Sequence, residues 1–129
     1  MELVKEFINR YRREYDFYDQ AARLAAQLLE SRLQAAGVRA IVTSRAKGAA
    51  SLENKVSGRA KRKDYSTVDE IYADIPDLAG VRVALYFPAQ REQVELVVTD
   101  LFATADTRKF PVPTQAPKYI KRFAGYSAT

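Results

Sequence analysis

The sequence predicts an α/β domain of the α+β kind, a mixed sheet with flanking helices that follows a long N-terminal amphipathic helix. Three patterns predict it. Between residues 3 and 35, Val4, Phe7, Ile8, Tyr11, Tyr15, Tyr18, Ala22, Ala25, Leu29 and Leu33 recur mostly at three- and four-residue steps, the period of one helical face. From Val81 to Phe87 the chain alternates, with Val81, Val83, Leu85 and Phe87 on one side and Arg82, Ala84 and Tyr86 on the other. Pro88 then stops the strand, and residues 89–102 return to a helical period, burying Val94, Val97, Val98, Leu101 and Phe102.

The first helix carries Lys5, Glu6, Arg10, Arg12, Arg13, Glu14, Gln20 and Arg23 between its apolar positions. These mostly face water, and the tyrosine stripe is expected to pack into a core, with a partner surface as the alternative. The pattern is long for one helix, and a break near Asp16 to Asp19 is one way to shorten it. Gly37 supplies the stop signal. The division expected is a helical segment over 1–36 and a second segment over 37–129.

Val38 to Ser44 reads as a short strand because Val38, Ile41 and Val42 bring β-branched bulk. Gly48 turns the chain into a helix from Ala49 to about Ser57. Gly58-Arg59-Ala60-Lys61-Arg62-Lys63 is a basic run that reads as an exposed loop or as a phosphate contact. Ser66 with Asp69, or Thr67 with Glu70, offers a capping box for a short helix. Pro76 closes that helix, since the residue before a proline leaves the helical region. Residues 103–118, with Pro111, Pro113 and Pro117, read as a long loop, and no closing helix or strand is expected after Ala124 to Thr129.

Composition narrows the chemistry. The chain has 129 residues, 47% of them hydrophobic and 29% charged, which suits one globular domain. It has no cysteine and no histidine, so thiolate metal sites and Ser-His-Asp chemistry are excluded. Proton transfer would fall to carboxylates, Lys, Tyr or the substrate. No apolar run approaches a membrane span, and the start lacks a basic leader followed by an apolar stretch. The expected location is cytoplasmic, with no membrane partner. A net charge of +5 favours acidic partners such as nucleotides or RNA.

The stretch Ser44 to Lys55, S-R-A-K-G-A-A-S-L-E-N-K, gathers Arg45, Lys47, Ser51 and Lys55 around one strand-turn-helix junction. Ser51 and Lys55 lie four apart on one helical face, and Lys47 sits at the helix mouth, where free N–H groups and the dipole favour an anion. On spacing alone, a solvated basic helix end remains the alternative. Asp77, in a turn, and Arg82, in the strand it enters, add a carboxylate suited to Mg²⁺ and a guanidinium that must find an edge, a partner or a ligand.

In their order and spacing, S-R-A-K-G-A-A-S-L-E-N-K, D-L-A-G-V-R-V and G-Y-S-A-T resemble the successive motifs of the RelA/SpoT family synthetase domain, over about residues 38–129. The resemblance implies a nucleotidyltransferase-like fold and transfer of pyrophosphate from ATP to the 3′-hydroxyl of GDP or GTP. It further implies Arg45 and Arg82 on the two faces of adenine, Lys47, Ser51 and Lys55 on the ATP phosphates, and Asp77 on Mg²⁺ as the catalytic carboxylate. Tyr126 would stack on the acceptor guanine. Arg122 stands where the family has a lysine near the acceptor phosphates. The family continues past this point with a histidine, a glutamate and two further strands, so the domain is expected to be cut short at its carboxyl end. Two other functions stay open. Some relatives transfer pyrophosphate to tRNA or adenosine nucleotides, for which Arg59 to Lys63 with Lys121 and Arg122 would hold RNA. A non-catalytic nucleotide-binding module is the other.

Overall fold

The computed structural model describes residues 2–104, 107–110 and 125–128. Helix and strand are mixed in an α+β arrangement. Helix α1 spans Glu2–Ala35 and strand β1 Ala40–Ala46. Helices α2 and α3 span Ala49–Ala60 and Val68–Asp74, and β2 spans Ala79–Leu85. A 3₁₀ turn at Pro88–Gln90 leads into α4, Arg91–Leu101, and β3 and β4 span Thr107–Phe110 and Gly125–Ala128. None of the described helices is long and apolar enough to cross a membrane.

α1 passes through residues 16–19 without a break. No proline or glycine falls there, and the Arg23 guanidinium donates to Asp19 one turn away at 3.0 Å. Its end follows from Gly37, whose φ of 78° is open to glycine and costly for other residues. The Gly37 N–H donates to the Gln34 carbonyl at 3.0 Å and the Val38 N–H to the Leu33 carbonyl at 2.9 Å, the two bonds of a Schellman cap. Leu33 and Val38 also pack in one cluster, as the hydrophobic contact of that cap requires.

Contacts divide the chain into two compact units, Met1–Ala26 with Thr43–Arg82, and Gln27–Val42 with Val83–Thr129. In the first, the amino-terminal half of α1 supplies Val4, Phe7, Ile8 and Tyr11, which pack with Leu52 and Val56 of α2, Ile71 of α3, and Ile75 and Leu78 of the turn that follows. The Phe7 and Tyr72 rings meet edge to face at 4.8 Å. In the second, Leu29, Leu33, Val38 and Val94 form the core, with Ala40, Val42, Val83 and Leu85 packed against it. Val97, Val98 and Leu101 join it from α4, as their spacing predicts.

β1 and β2 form one hydrogen-bonded pair. The Lys47 N–H donates to the Leu78 carbonyl at one end, and the Tyr86 N–H to the Arg39 carbonyl at the other. The late end of β1 therefore meets the early end of β2, and the pair is antiparallel. β3 and β4 are also antiparallel, with Lys109 opposite Tyr126. Among the described residues the expected mixed sheet is thus two antiparallel pairs.

Two expectations change. β3 lies within the stretch expected to be a loop, and it pairs with β4. Thr107-Arg-Lys-Phe110 has too little alternation to announce a strand, and cross-strand pairing decides it. α2 continues through Gly58 to Ala60, taking in the start of the basic run. The third helix takes the second of its two capping options. The Thr67 hydroxyl accepts from the Glu70 N–H, and the Glu70 carboxylate accepts from the Ser66 N–H.

Leu52 is fully buried in the first unit. Leu52→Ala is expected to cost about 2–5 kcal/mol, read from urea unfolding. Gly37→Ala is expected to cost about 1 kcal/mol in the same measurement, with helix content by circular dichroism nearly unchanged.

Candidate functional site

The junction between β1 and α2 is held from two sides. The Lys47 N–H is tied to Leu78, and its carbonyl accepts from the Tyr11 hydroxyl at 2.5 Å. With the backbone clamped, the Lys47 side chain emerges from a set position. Gly48 is the N-cap of α2 and brings no side-chain cap, so the first N–H groups of the helix have no cap side chain across them. Leu52 and Val56 turn one face of α2 into the core, which leaves Ser51 exposed and Lys55 half-buried on other faces.

Asp77 meets both lysines. Its Oδ2 lies 2.9 Å from the Lys47 ammonium and its Oδ1 3.5 Å from that of Lys55. Lys47 is the more enclosed of the two, at 14% side-chain exposure, while the carboxylate remains 49% exposed. Burial pushes the Asp77 carboxyl up, but the Lys47 hydrogen bond and the charges of Lys47 and Lys55 outweigh it, and the group lies below its ordinary value. Lys55 also lies below its ordinary value. The adjacent Lys47 is the largest cause and burial the next, and together they overcome the pull of Asp77.

Arg45 and Arg82 come together through strand register. The bonds that end the β1–β2 pair set Arg45 opposite Gly80, and a Cβ on Gly80 would lie 3.8 Å from the Arg45 carbonyl oxygen. Arg82 is two residues further along β2, so the two arginines are diagonal neighbours on one face. Both are exposed. Such neighbours have Cβ atoms about 7 Å apart, the width a flat ring needs when a guanidinium stacks at about 3.5 Å on each side.

The basic run is partly spoken for. Arg59 Nη1 donates at 3.0 Å to both the carbonyl and Oδ2 of Asp74, and Lys63 and the Tyr65 hydroxyl donate to the same carboxylate. Lys61 and Arg62 are exposed. Asp74 went unrecognised in the sequence because an acid at the end of a short helix carries no sign of a partner 15 residues away. Tyr11, which was expected only as core, also reaches the site by its hydroxyl. Tyr126 lies in β4, while Lys121 and Arg122 lie outside the described residues.

Among the described residues no group of three or more carboxylates could cage a metal ion. The half-exposed Asp77 supplies one carboxylate. That donor set suits Mg²⁺ where phosphate oxygens complete the shell, and it does not suit a metal held by the protein alone. No family model, no curated protein and no solved structure matches the chain.

Asp74 tests the local electrostatics. Hydrogen bonds from Lys63, Tyr65 and Arg59 hold its carboxyl far below the usual carboxylate range. A lowered folded-state value contributes stability above the ordinary value, and this is lost as pH falls towards the lowered one. Asp74→Asn should therefore be less stable than the parent chain near neutral pH. In urea unfolding the gap should narrow as pH drops from about 5 to about 2.

Proposed function

We propose that this chain is a pyrophosphate-transferring domain of the RelA/SpoT kind, with a nucleotidyltransferase-like fold, that acts from ATP on the 3′-hydroxyl of GDP or GTP. One observation carries the proposal. Six residues from two stretches of sequence, Arg45, Lys47, Ser51, Lys55, Asp77 and Arg82, fall in the same compact unit, with an arginine pair on one strand face and two lysines on one carboxylate.

Each residue then has a task. Arg45 and Arg82 clasp the adenine by stacking and cation–π attraction. Lys47 and Lys55 neutralise phosphate oxygens, with Ser51 and the open N–H groups of α2 adding hydrogen bonds. Asp77 would hold Mg²⁺, whose chemistry is to neutralise charge on the transferring group and align it. The acceptor oxygen bonds to the β-phosphorus as the bridge to the α-phosphate breaks and AMP leaves. Positioning and charge neutralisation dominate such transfers, so the lack of histidine is no barrier. Tyr126 and Arg122 are the proposed acceptor contacts. GDP or GTP is favoured over RNA as acceptor because Asp74 already engages Arg59 and Lys63.

Arg45→Ala and Lys55→Ala should each weaken ATP binding about tenfold or more by calorimetry. Asp77→Asn should abolish transfer from labelled ATP while circular dichroism stays unchanged. Wild-type transfer by Asp77→Asn would overturn the metal assignment. Label on deacylated tRNA in place of GDP or GTP would overturn the acceptor.

A further inference from the structure

The two lysines assigned to phosphate already hold an anion. The Asp77 carboxylate spans them, one oxygen on each ammonium, much as two oxygens of a phosphate group would. Its exposure differs from that of the other doubly paired acid. Asp77 is 49% exposed, whereas the Asp74 side chain is 20% exposed and holds Arg59, Lys63 and the Tyr65 hydroxyl. Asp74 belongs to a closed arrangement, and Asp77 can be reached by a solute.

A polyphosphate entering this cradle meets two obstacles. It must displace the carboxylate from at least one ammonium, and it then lies beside that carboxylate with like charge. Like charges at such separations repel strongly in a partly desolvated site. A divalent cation removes the second obstacle, because it can take one oxygen from the carboxylate and others from the phosphates. The pairing of Lys47 and Lys55 with Asp77 then gives way to pairing with phosphate.

We infer that Asp77 is an internal counter-ion that fills the two-lysine cradle and favours a polyphosphate accompanied by a divalent cation over the bare polyanion. The inference rests on the polyphosphate site described above and adds a selectivity to it. The site disfavours metal-free polyanions, and its preference for the metal begins at binding, before any transfer. Asp77 has two effects of opposite sign, since it opposes the bare polyanion and favours the metal-bound one.

The test is calorimetric titration of the 129-residue chain with inorganic tripolyphosphate, in a chelator or in excess Mg²⁺. Tripolyphosphate has no base or acceptor group, so the readout is independent of adenine recognition and of transfer. The parent chain should bind the Mg²⁺ form about tenfold or more tighter than the bare form. In Asp77→Asn and Asp77→Ala the bare form should bind about tenfold tighter than it does to the parent chain, and Mg²⁺ should add little. Circular dichroism confirms that each variant is folded, and two variants protect against the failure of one. If the parent chain binds tripolyphosphate and the substitutions leave metal-free affinity equal or lower, the counter-ion role is overturned while the phosphate site stands. If no form binds the parent chain or either variant, the phosphate site falls and the counter-ion role with it.

Discussion

The bond from the buried Tyr11 hydroxyl to the Lys47 carbonyl links the core of the first unit to its chemistry. Burial pushes the phenol up to about 12, with Tyr15, Tyr18 and Asp77 adding to the rise, so the hydroxyl keeps its proton across the physiological range. A permanent donor on a fully buried ring holds the Lys47 carbonyl, and the Leu78 carbonyl holds the Lys47 N–H. Phe7 and Ile8, in the same helical stripe, pack in the same cluster as Leu52 and Val56, the buried face of the helix that carries Lys55. The aromatic stripe of α1 therefore places the peptide of one lysine and supports the helix bearing the other. Little side-chain entropy remains to be lost at Lys47 when an anion arrives, because the side chain is already enclosed.

The same unit contains two carboxylates three residues apart, each paired with two cations. Lys55 and Arg59 sit one turn apart on α2, and Asp77 and Asp74 meet them in reverse order. The two acids differ in what else surrounds them. Asp74 receives a phenol and a bidentate contact in which Arg59 also bonds its backbone carbonyl, so the end of α3 is fastened to the end of α2. Asp77 is paired with the two lysines and is half open to solvent. A pair of that kind is worth little to stability when exposed, which makes it the less costly of the two to exchange for a ligand.

Most of the helical framework was legible from periodicity, and the limits of that signal are physical. The α1 stripe, the capping options at Thr67 and the alternation from Val81 to Leu85 are local patterns, and local patterns survive in a sequence. β3 and β4 depend on each other across a wide separation in sequence, and neither carries alternation strong enough to stand alone. The division of contacts within α1, β1 and β2 is equally invisible, because the hydrophobic stripe runs on without interruption. At the site, the residue types and their order were readable, whereas the pairings were not. Nothing in the spacing of Lys47, Lys55 and Asp77 says that they touch, and nothing in the basic run says that Asp74 takes two of its cations.

Charge explains why the acids sit where they do. Lys47, Lys55, Arg59 and Lys63 emerge from one short stretch of a chain with a net charge of +5, and without counter-ions their mutual repulsion would oppose packing of α2. Lys55 lies below its ordinary value because the hydrogen-bonding Lys47 and burial, with the charges of Lys47 and Arg59 adding to them, outweigh the pull of Asp77. A polyphosphate would relieve the same strain with more charge than one carboxylate supplies. The lysines proposed to grip a nucleotide are thus also cations that the fold must neutralise. One exposed aspartate between two lysines meets that demand while leaving the pair open to solvent.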